Sequence, residues 1–296
     1  MPTATPMRSK NSTTGRIKKA TLRRALALLG RVRPAALHRL AADWFSTPAR
    51  RSLPPEPAAK GLAGHRFDLT VAGRKLAAWD FGSGPTVVLS HGWSGHAGQL
   101  SPLILPLVEA GHYVITFDQP AHGRSEGDRA TLADLTLAVK AVGQRVGPVR
   151  AVIGHSLGAA ASALALGDGL RADRLVLVAP PAEVTPFLRY FAGELGLSEE
   201  HAAGLIAEIA RRVGPIKQFD VAAVPLERQA PLLVVHDAAD REVPIAQGRK
   251  IVEAWPGARL EVVNGLGHRR LLADREVIRK IVGFVRGDEG ALARSA

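Results

Sequence analysis

The 296-residue chain contains no cysteine and no long apolar run. The first absence excludes a disulfide framework, a cysteine metal site and a cysteine nucleophile. The second leaves no candidate for a transmembrane helix, which needs roughly 20 consecutive apolar residues. Arginines also interrupt the apolar residues near the N-terminus, which argues against a secretory signal. The chain is nevertheless 46% hydrophobic, enough to bury one large core or two ordinary ones.

Acidic residues are scarce in residues 1–60, which hold 13 Lys and Arg but only Asp43 and Glu56. The formal net charge of +12 therefore belongs almost entirely to this basic N-terminal segment, and the rest of the chain is nearly neutral. A basic patch on the body, the usual mark of nucleic-acid binding, is not indicated, and we expect no nucleic-acid partner.

The basic segment has an ordered and a disordered part. Residues 1–16 are rich in Ser, Thr and Pro, which predicts disorder. From Ile17 to Leu40, apolar residues alternate with Arg and Lys at helical spacing, and Pro34 predicts a break. Residues 52–57 are typical of an extended linker.

Three interpretations of the basic helix remain open. It could pack on the body as a solvated helix, lie on an anionic membrane surface, or act as an Arg-rich transit peptide. We expect a cytoplasmic protein, which could also make peripheral contact with a membrane through this helix.

From residue 65 onwards, short β-branched runs alternate with helical stretches, a pattern that predicts a mostly parallel eight-stranded sheet with helices on both faces. A hairpin around Gly73 opens the series, and near-continuous apolar runs follow, as expected for strands covered on both faces. The predicted strands are Arg66–Val71, Lys75–Asp80, Thr86–Ser90, Tyr113–Asp118, Val149–Gly154, Arg174–Ala179, Pro231–His236 and Arg259–Val263.

Residues 182–226 interrupt this alternation, because they contain two helical pieces and no convincing strand. Ser198 precedes two glutamates and predicts a helix start. We interpret the stretch as a small helical lid inserted into a core of residues 61–181 and 227–296.

The strongest motif is Gly-His-Ser-Leu-Gly over residues 154–158, between a predicted strand and an Ala-rich helix. Gly-x-Ser-x-Gly in that context is a nucleophile elbow, a sharp turn that exposes the serine hydroxyl at a helix N-terminus. The helix dipole and its N–H groups favour negative charge there. Ser156 is therefore the candidate nucleophile.

A nucleophilic serine needs a base and an acid that orients the base. His268 follows the last predicted strand in a glycine-flanked loop and is the candidate base, whereas His236 at a strand end is interpreted as structural. Asp240 is the preferred acid. The alternatives are Asp237, which could instead cap a turn, Glu242, which fits a surface ion pair, and Glu183 after the preceding strand.

An oxyanion hole would complete the site. One donor would be the backbone N–H of Leu157, directly after the nucleophile. The other would be the N–H of Trp93, in the loop that follows the strand ending at Ser90. His91 in the same loop is interpreted as structural.

Taken together, these residues resemble the α/β-hydrolase superfamily from about Arg66 to Arg286. The segment Asp-Gln-Pro-Ala-His-Gly-Arg-Ser over residues 118–125 is similar to an architectural turn of that family, with Ala121 in place of a usual glycine. The resemblance implies the α/β-hydrolase fold with a lid after the sixth strand. Serine at position 156 argues against the haloalkane dehalogenases and soluble epoxide hydrolases of that superfamily. Within the superfamily, the chain looks similar to esterase-like and lysophospholipase-like members.

We therefore expect a carboxylic ester hydrolase that acts on a small-molecule ester through a Ser156–His268–Asp240 catalytic triad and needs no metal or organic cofactor. Two alternatives remain. One is a lipase-like or lysophospholipase-like enzyme at a membrane surface. The other is a non-catalytic ligand-binding protein that keeps the fold.

Overall fold

A computed structural model of the protein describes residues 13–50, 54–224 and 230–288. These residues form two compact units. The helical unit consists of residues 13–45 and 185–214, and the sheet unit consists of the described residues in 46–184 and 215–288. In the described ranges, no helix is both long and apolar enough to cross a membrane.

The sheet unit is built on the eight-stranded, mostly parallel sheet that the sequence predicts. The strand order is β1-β2-β4-β3-β5-β6-β7-β8. β1 and β2 form the hairpin and β2 pairs antiparallel with β4, while all other neighbours are parallel. The strands are β1 (His65–Val71), β2 (Arg74–Phe81), β3 (Thr86–Ser90), β4 (Tyr113–Phe117), β5 (Val149–His155), β6 (Ala172–Val178), β7 (Leu232–Asp237) and β8 (Arg259–Val263).

Helices cover both faces of this sheet. Val87 and Leu89 of β3 join a buried core with the helices α3 (Ser101–Glu109) and α10 (Arg275–Arg286), and successive residues of a strand point to opposite faces. On the other face α4 (Leu132–Val146) and α5 (Leu157–Gly167) pack together against β3 and β5. The helices are α1 (Thr13–Val32), α2 (Pro34–Phe45), α3 (Ser101–Glu109), α4 (Leu132–Val146), α5 (Leu157–Gly167), α6 (Thr185–Leu195), α7 (Glu199–Val213), α8 (Ile245–Ala254), α9 (Gly267–Arg270) and α10 (Arg275–Arg286).

Local chemistry explains where several helices start. Thr131 forms a capping box with Asp134 at the start of α4, and the Asp274 carboxylate accepts two backbone N–H groups at the start of α10. Ser198 caps α7, as the sequence predicts. These caps fix the residue at which each of the three helices begins.

The helical unit joins the N-terminal helices to the predicted insertion. Pro34 occupies the first position of α2, and α1 ends two residues before it at Val32, which confirms the predicted break. The Arg23 guanidinium on α1 donates to the carbonyl of Glu194 on α6 over 3.1 Å, and Arg212 on α7 pairs with Asp43 on α2 over 2.8 Å. The basic segment therefore packs on the inserted helices.

Two sequence predictions lie partly outside the described residues. Of the segment 1–16, residues 1–12 are not described, and α1 begins at Thr13, ahead of the predicted helix start at Ile17. Of the predicted linker over 52–57, residues 52 and 53 are not described, and residues 54–57 have no regular secondary structure.

Candidate active site

Ser156 lies at a sharp turn between β5 and α5. Its φ of 54° and ψ of −124° are strained values for a residue with a side chain, and its N–H donates to the Val178 carbonyl over 2.9 Å. A Cβ at Gly154 would come within 2.5 Å of the Ala159 Cα, and one at Gly158 would overlap backbone carbonyls. The two glycines therefore permit the turn that presents the serine.

The loop after β3 lies directly against the serine. A Cβ at Gly92 would lie 2.9 Å from the Ser156 Cβ and 3.4 Å from its Oγ. Glycine at this position therefore lets the backbone that leads into Trp93 approach the hydroxyl. The Trp93 ring packs edge-on against the His122 ring, with centroids 5.1 Å apart.

Leu157 is the first residue of α5, so its N–H belongs to the helix-start amides that have no intrahelical partner. The N–H groups of Trp93 and Leu157 thus belong to two backbone segments that flank Ser156. Their role as oxyanion donors stays a prediction.

The expected base and acid meet as a buried pair. The Nδ1 of His268 lies 2.8 Å from the Oδ2 of Asp240, and the two residues are 8% and 7% exposed. The other oxygen of Asp240 accepts the N–H groups of Glu242 and Val243 over 2.8 and 3.0 Å. Burial raises the pKa of Asp240, but His268 and these N–H groups outweigh it and lower the pKa overall, so the carboxylate stays ionised.

This pairing selects the tautomer of the histidine. An ionised carboxylate only accepts hydrogen bonds, so Nδ1 of His268 carries the hydrogen and donates it. The Nε2 of the neutral ring then has a free electron pair with which to accept a proton. Asp240 and His268 come from the loops after β7 and β8, neighbouring parallel strands whose carboxyl ends share one edge.

The three alternative acids have other partners. The Asp237 carboxylate accepts the N–H groups of Ala239 and Leu266 over 2.8 and 2.7 Å, so it caps a turn and also holds the loop before His268. Glu242 is exposed and pairs with Arg269. Glu183 pairs with Lys250 over 2.6 Å.

Histidines near the site are buried and neutral. His91 donates from Nδ1 to the Gly92 carbonyl and accepts the Gln119 N–H at Nε2, and burial lowers its pKa to about 3. Burial likewise lowers the pKa of His122 to about 3. His236 donates to the Val243 carbonyl over 2.8 Å. These contacts support the structural interpretation of His91 and His236.

The turn over residues 118–125 is architectural, as the resemblance implies. The carboxylate of Asp118 accepts the N–H groups of Ala97 and Arg124 over 2.7 and 2.8 Å. Ala121 takes the left-handed φ of 65° that a glycine would adopt without strain. The turn therefore ties the loop after β3 to the end of β4.

Sequence reasoning missed one residue of the site. His155 occupies a variable position of the Gly-x-Ser-x-Gly motif, and no local pattern marks it. Its Nε2 donates to the backbone carbonyl of His268 over 2.9 Å, and the two rings lie 4.8 Å apart. In the described part of the chain, no group of three His, Asp or Glu side chains is placed to hold a metal ion.

Comparison with known proteins identifies the family. The model of the alpha/beta hydrolase family matches residues 87–280. The chain is an α/β hydrolase. The match includes every residue of the candidate site.

Two curated relatives of this α/β hydrolase are a lipase and an esterase. It is 31% identical to a monoacylglycerol lipase of Mycolicibacterium smegmatis over 229 residues, which cover 62% of the chain and 80% of that lipase. It is 37% identical to a pimeloyl-[acyl-carrier protein] methyl ester esterase of Xanthomonas campestris over 102 residues, which cover 33% of the chain and 39% of that esterase.

Solved structures share the fold. The esterase Pf2001 of Pyrococcus furiosus superimposes with a TM-score of 0.64 at 22% identity, over 81% of this chain and 98% of the esterase.

Proposed function

We propose that the protein hydrolyses carboxylic esters through an acyl-enzyme on Ser156. The observation that carries the proposal is the buried His268–Asp240 pair, in which Asp240 accepts Nδ1–H and makes Nε2 the acceptor nitrogen of the neutral ring, at the sheet edge where the strained elbow presents a serine. The distant lipase and esterase relatives support this reaction class.

In the first half-reaction, Nε2 of His268 removes the hydroxyl proton while the Ser156 Oγ bonds to the carbonyl carbon. The N–H groups of Trp93 and Leu157 stabilise the resulting oxyanion. When the C–O bond to the alcohol breaks, His268 gives the proton to the departing oxygen. Water then repeats the sequence on the acyl-enzyme and releases the acid.

The test is hydrolysis of p-nitrophenyl esters by purified Ser156→Ala, with labelling by a fluorophosphonate probe. Ser162→Ala is the matched control, because Ser162 lies in α5 but donates to the Gly158 carbonyl over 2.7 Å and is fully buried. We expect Ser156→Ala to lose turnover and labelling and Ser162→Ala to keep both. Unchanged hydrolysis by Ser156→Ala would refute the proposal, and absence of labelling in the wild type would favour the non-catalytic alternative.

A second candidate is a lipid ester hydrolysed at a membrane surface, which the surface of α1 favours. Leu28 and Val32 are 64% and 68% exposed, one helical turn apart, with exposed Arg24 and Arg31 on the same face. No acidic residue precedes Asp43 in the chain. Apolar side chains flanked by arginines suit an anionic lipid surface, and a monoacylglycerol lipase is among the relatives.

The packing of α1 and α2 on α6 and α7 decides how this candidate is tested. Deleting the N-terminal segment would uncover the inserted helices, so point substitutions are the cleaner perturbation. We expect Leu28→Gln/Val32→Gln to weaken sedimentation with anionic vesicles and to lower lipid ester hydrolysis there, while hydrolysis of soluble esters is unchanged. Leu137→Gln, at a leucine that is 42% exposed in the sheet unit, is the control. Vesicle binding equal to wild type in the double variant would exclude this candidate.

A further inference from the structure

His155 forms a buried connection between the strand that carries Ser156 and the loop that carries His268. It is the last residue of β5 and is 4% exposed. Its side chain donates to the main-chain carbonyl of His268 over 2.9 Å. The residue next to the candidate nucleophile thus holds the backbone of the candidate base, 113 positions later in the chain.

The chemistry of this bond fixes the state of the His155 ring. A carbonyl only accepts, so Nε2 of His155 carries the hydrogen, and its Nδ1 is unprotonated. In the described residues this buried Nδ1 has no hydrogen-bond partner. Burial, with a smaller contribution from the nearby His268, lowers the pKa of His155 to about 4. A neutral ring therefore lies beside the imidazole that becomes charged during turnover.

Other contacts hold the same loop from the side of β7. The carboxylate of Asp237 accepts the Leu266 N–H over 2.7 Å, and Asp240 holds the His268 ring. Both carboxylates lie at or after the end of β7, so neither contact fixes the position of the loop relative to β5, the strand that leads into Ser156. The hydrogen bond from His155 connects the loop directly to the end of β5.

We propose that His155 is a positioning residue, whose Nε2–H fixes the main chain of His268 relative to Ser156. This inference rests on the proposed function. Loss of the bond frees the loop to move away from β5 while Asp240 still orients the ring. A misplacement of about 1 Å in a catalytic group can cost on the order of 100-fold in rate.

The test compares His155→Asn with His155→Gln, two amides that differ by one methylene. The glutamine amide nitrogen reaches about as far as the histidine Nε2, whereas the asparagine nitrogen stops near the position of Nδ1. We expect His155→Asn to lower kcat by about 10- to 100-fold with KM within about twofold, and His155→Gln to recover most of kcat. His155→Phe keeps a ring but has no donor, and it replaces the asparagine variant in this comparison if that variant does not unfold cooperatively.

Amide hydrogen exchange in residues 266–270 measures the local opening of this loop and does not depend on catalytic activity. We expect faster exchange in His155→Asn and His155→Phe than in wild type and His155→Gln. Equal kcat in all variants, or a glutamine variant as impaired as the asparagine variant, would overturn the positioning role. Failure of the proposed function is recognised separately, by hydrolysis that survives Ser156→Ala.

Discussion

Replacement of Asp240 by asparagine gives the sharpest test of the acid–base pair. One carboxylate oxygen accepts two backbone N–H groups, from Glu242 and Val243, and the other accepts Nδ1–H of His268. An asparagine in this position satisfies the two N–H groups with its carbonyl oxygen. Its NH2 group then faces Nδ1 of His268.

This arrangement inverts the tautomer of the base. Because an NH2 group can only donate, Nδ1 of His268 must become the acceptor, and the hydrogen moves to Nε2, where the proton of Ser156 should be received. The geometry is kept, but the base is blocked. For such a substitution we expect kcat to fall by about 10⁴-fold, equivalent to roughly 5 kcal/mol of transition-state stabilisation.

The assay is steady-state hydrolysis of a soluble p-nitrophenyl ester at pH 7, with thermal unfolding measured in parallel. Glu242→Gln is the matched control, since it makes the same chemical change in the same loop at an exposed residue paired with Arg269. It should retain activity close to wild type. A fall of less than tenfold in Asp240→Asn, with the fold intact, would refute the assignment of Asp240 as the acid.

Two further outcomes follow from the same structure. Burial lowers the pKa of His91, His122 and His155 to about 3, 3 and 4, below the ordinary value of 6.5, so the unfolded state binds more protons at acid pH. The contribution of these three histidines to the free energy of unfolding should therefore be fully present above pH 6.5. It should fall as the pH drops below that value, by up to about 4 kcal/mol per pH unit near pH 5. Urea titrations measure this fall, and a flat profile between pH 7 and 5 would contradict it. Gly92→Ala should lower kcat about 10- to 100-fold, because the added Cβ would press on Ser156. Gly193→Ala is the control, because a Cβ added there meets no atom within 4 Å, and it should leave kcat unchanged. Equal kinetics for the two variants would show that the close approach of the loop after β3 is unimportant.

The sheet was predictable because its strands are continuous apolar runs separated by amphipathic helices. The ranges Thr86–Ser90 and Arg259–Val263 agree with the structure to the residue. The candidate acid and base were found because the order of serine, aspartate and histidine constrains where each can lie. These signals are local, or depend on order along the chain.

The features that sequence reasoning missed depend on contacts between distant segments. The bond from His155 joins its side chain to a carbonyl, and backbone acceptors leave no trace in residue type. The second role of Asp237, on Leu266, has the same cause. The packing of α1 and α2 on α6 and α7 was also missed, because amphipathic periodicity shows that a helix has an apolar face but not which element covers it.

The composition of the helical unit has a consequence for biosynthesis. Residues 13–45 are synthesised before their packing partners at 185–214, which follow about 140 residues later. At typical elongation rates of about 5–20 residues per second, the first two helices wait on the order of 10–30 s for those partners. During that interval the apolar stripe containing Leu26 and Leu37, which is buried in the finished protein, is without its native cover. The nascent chain therefore exposes this stripe to chaperones and to aggregation until α7 is complete.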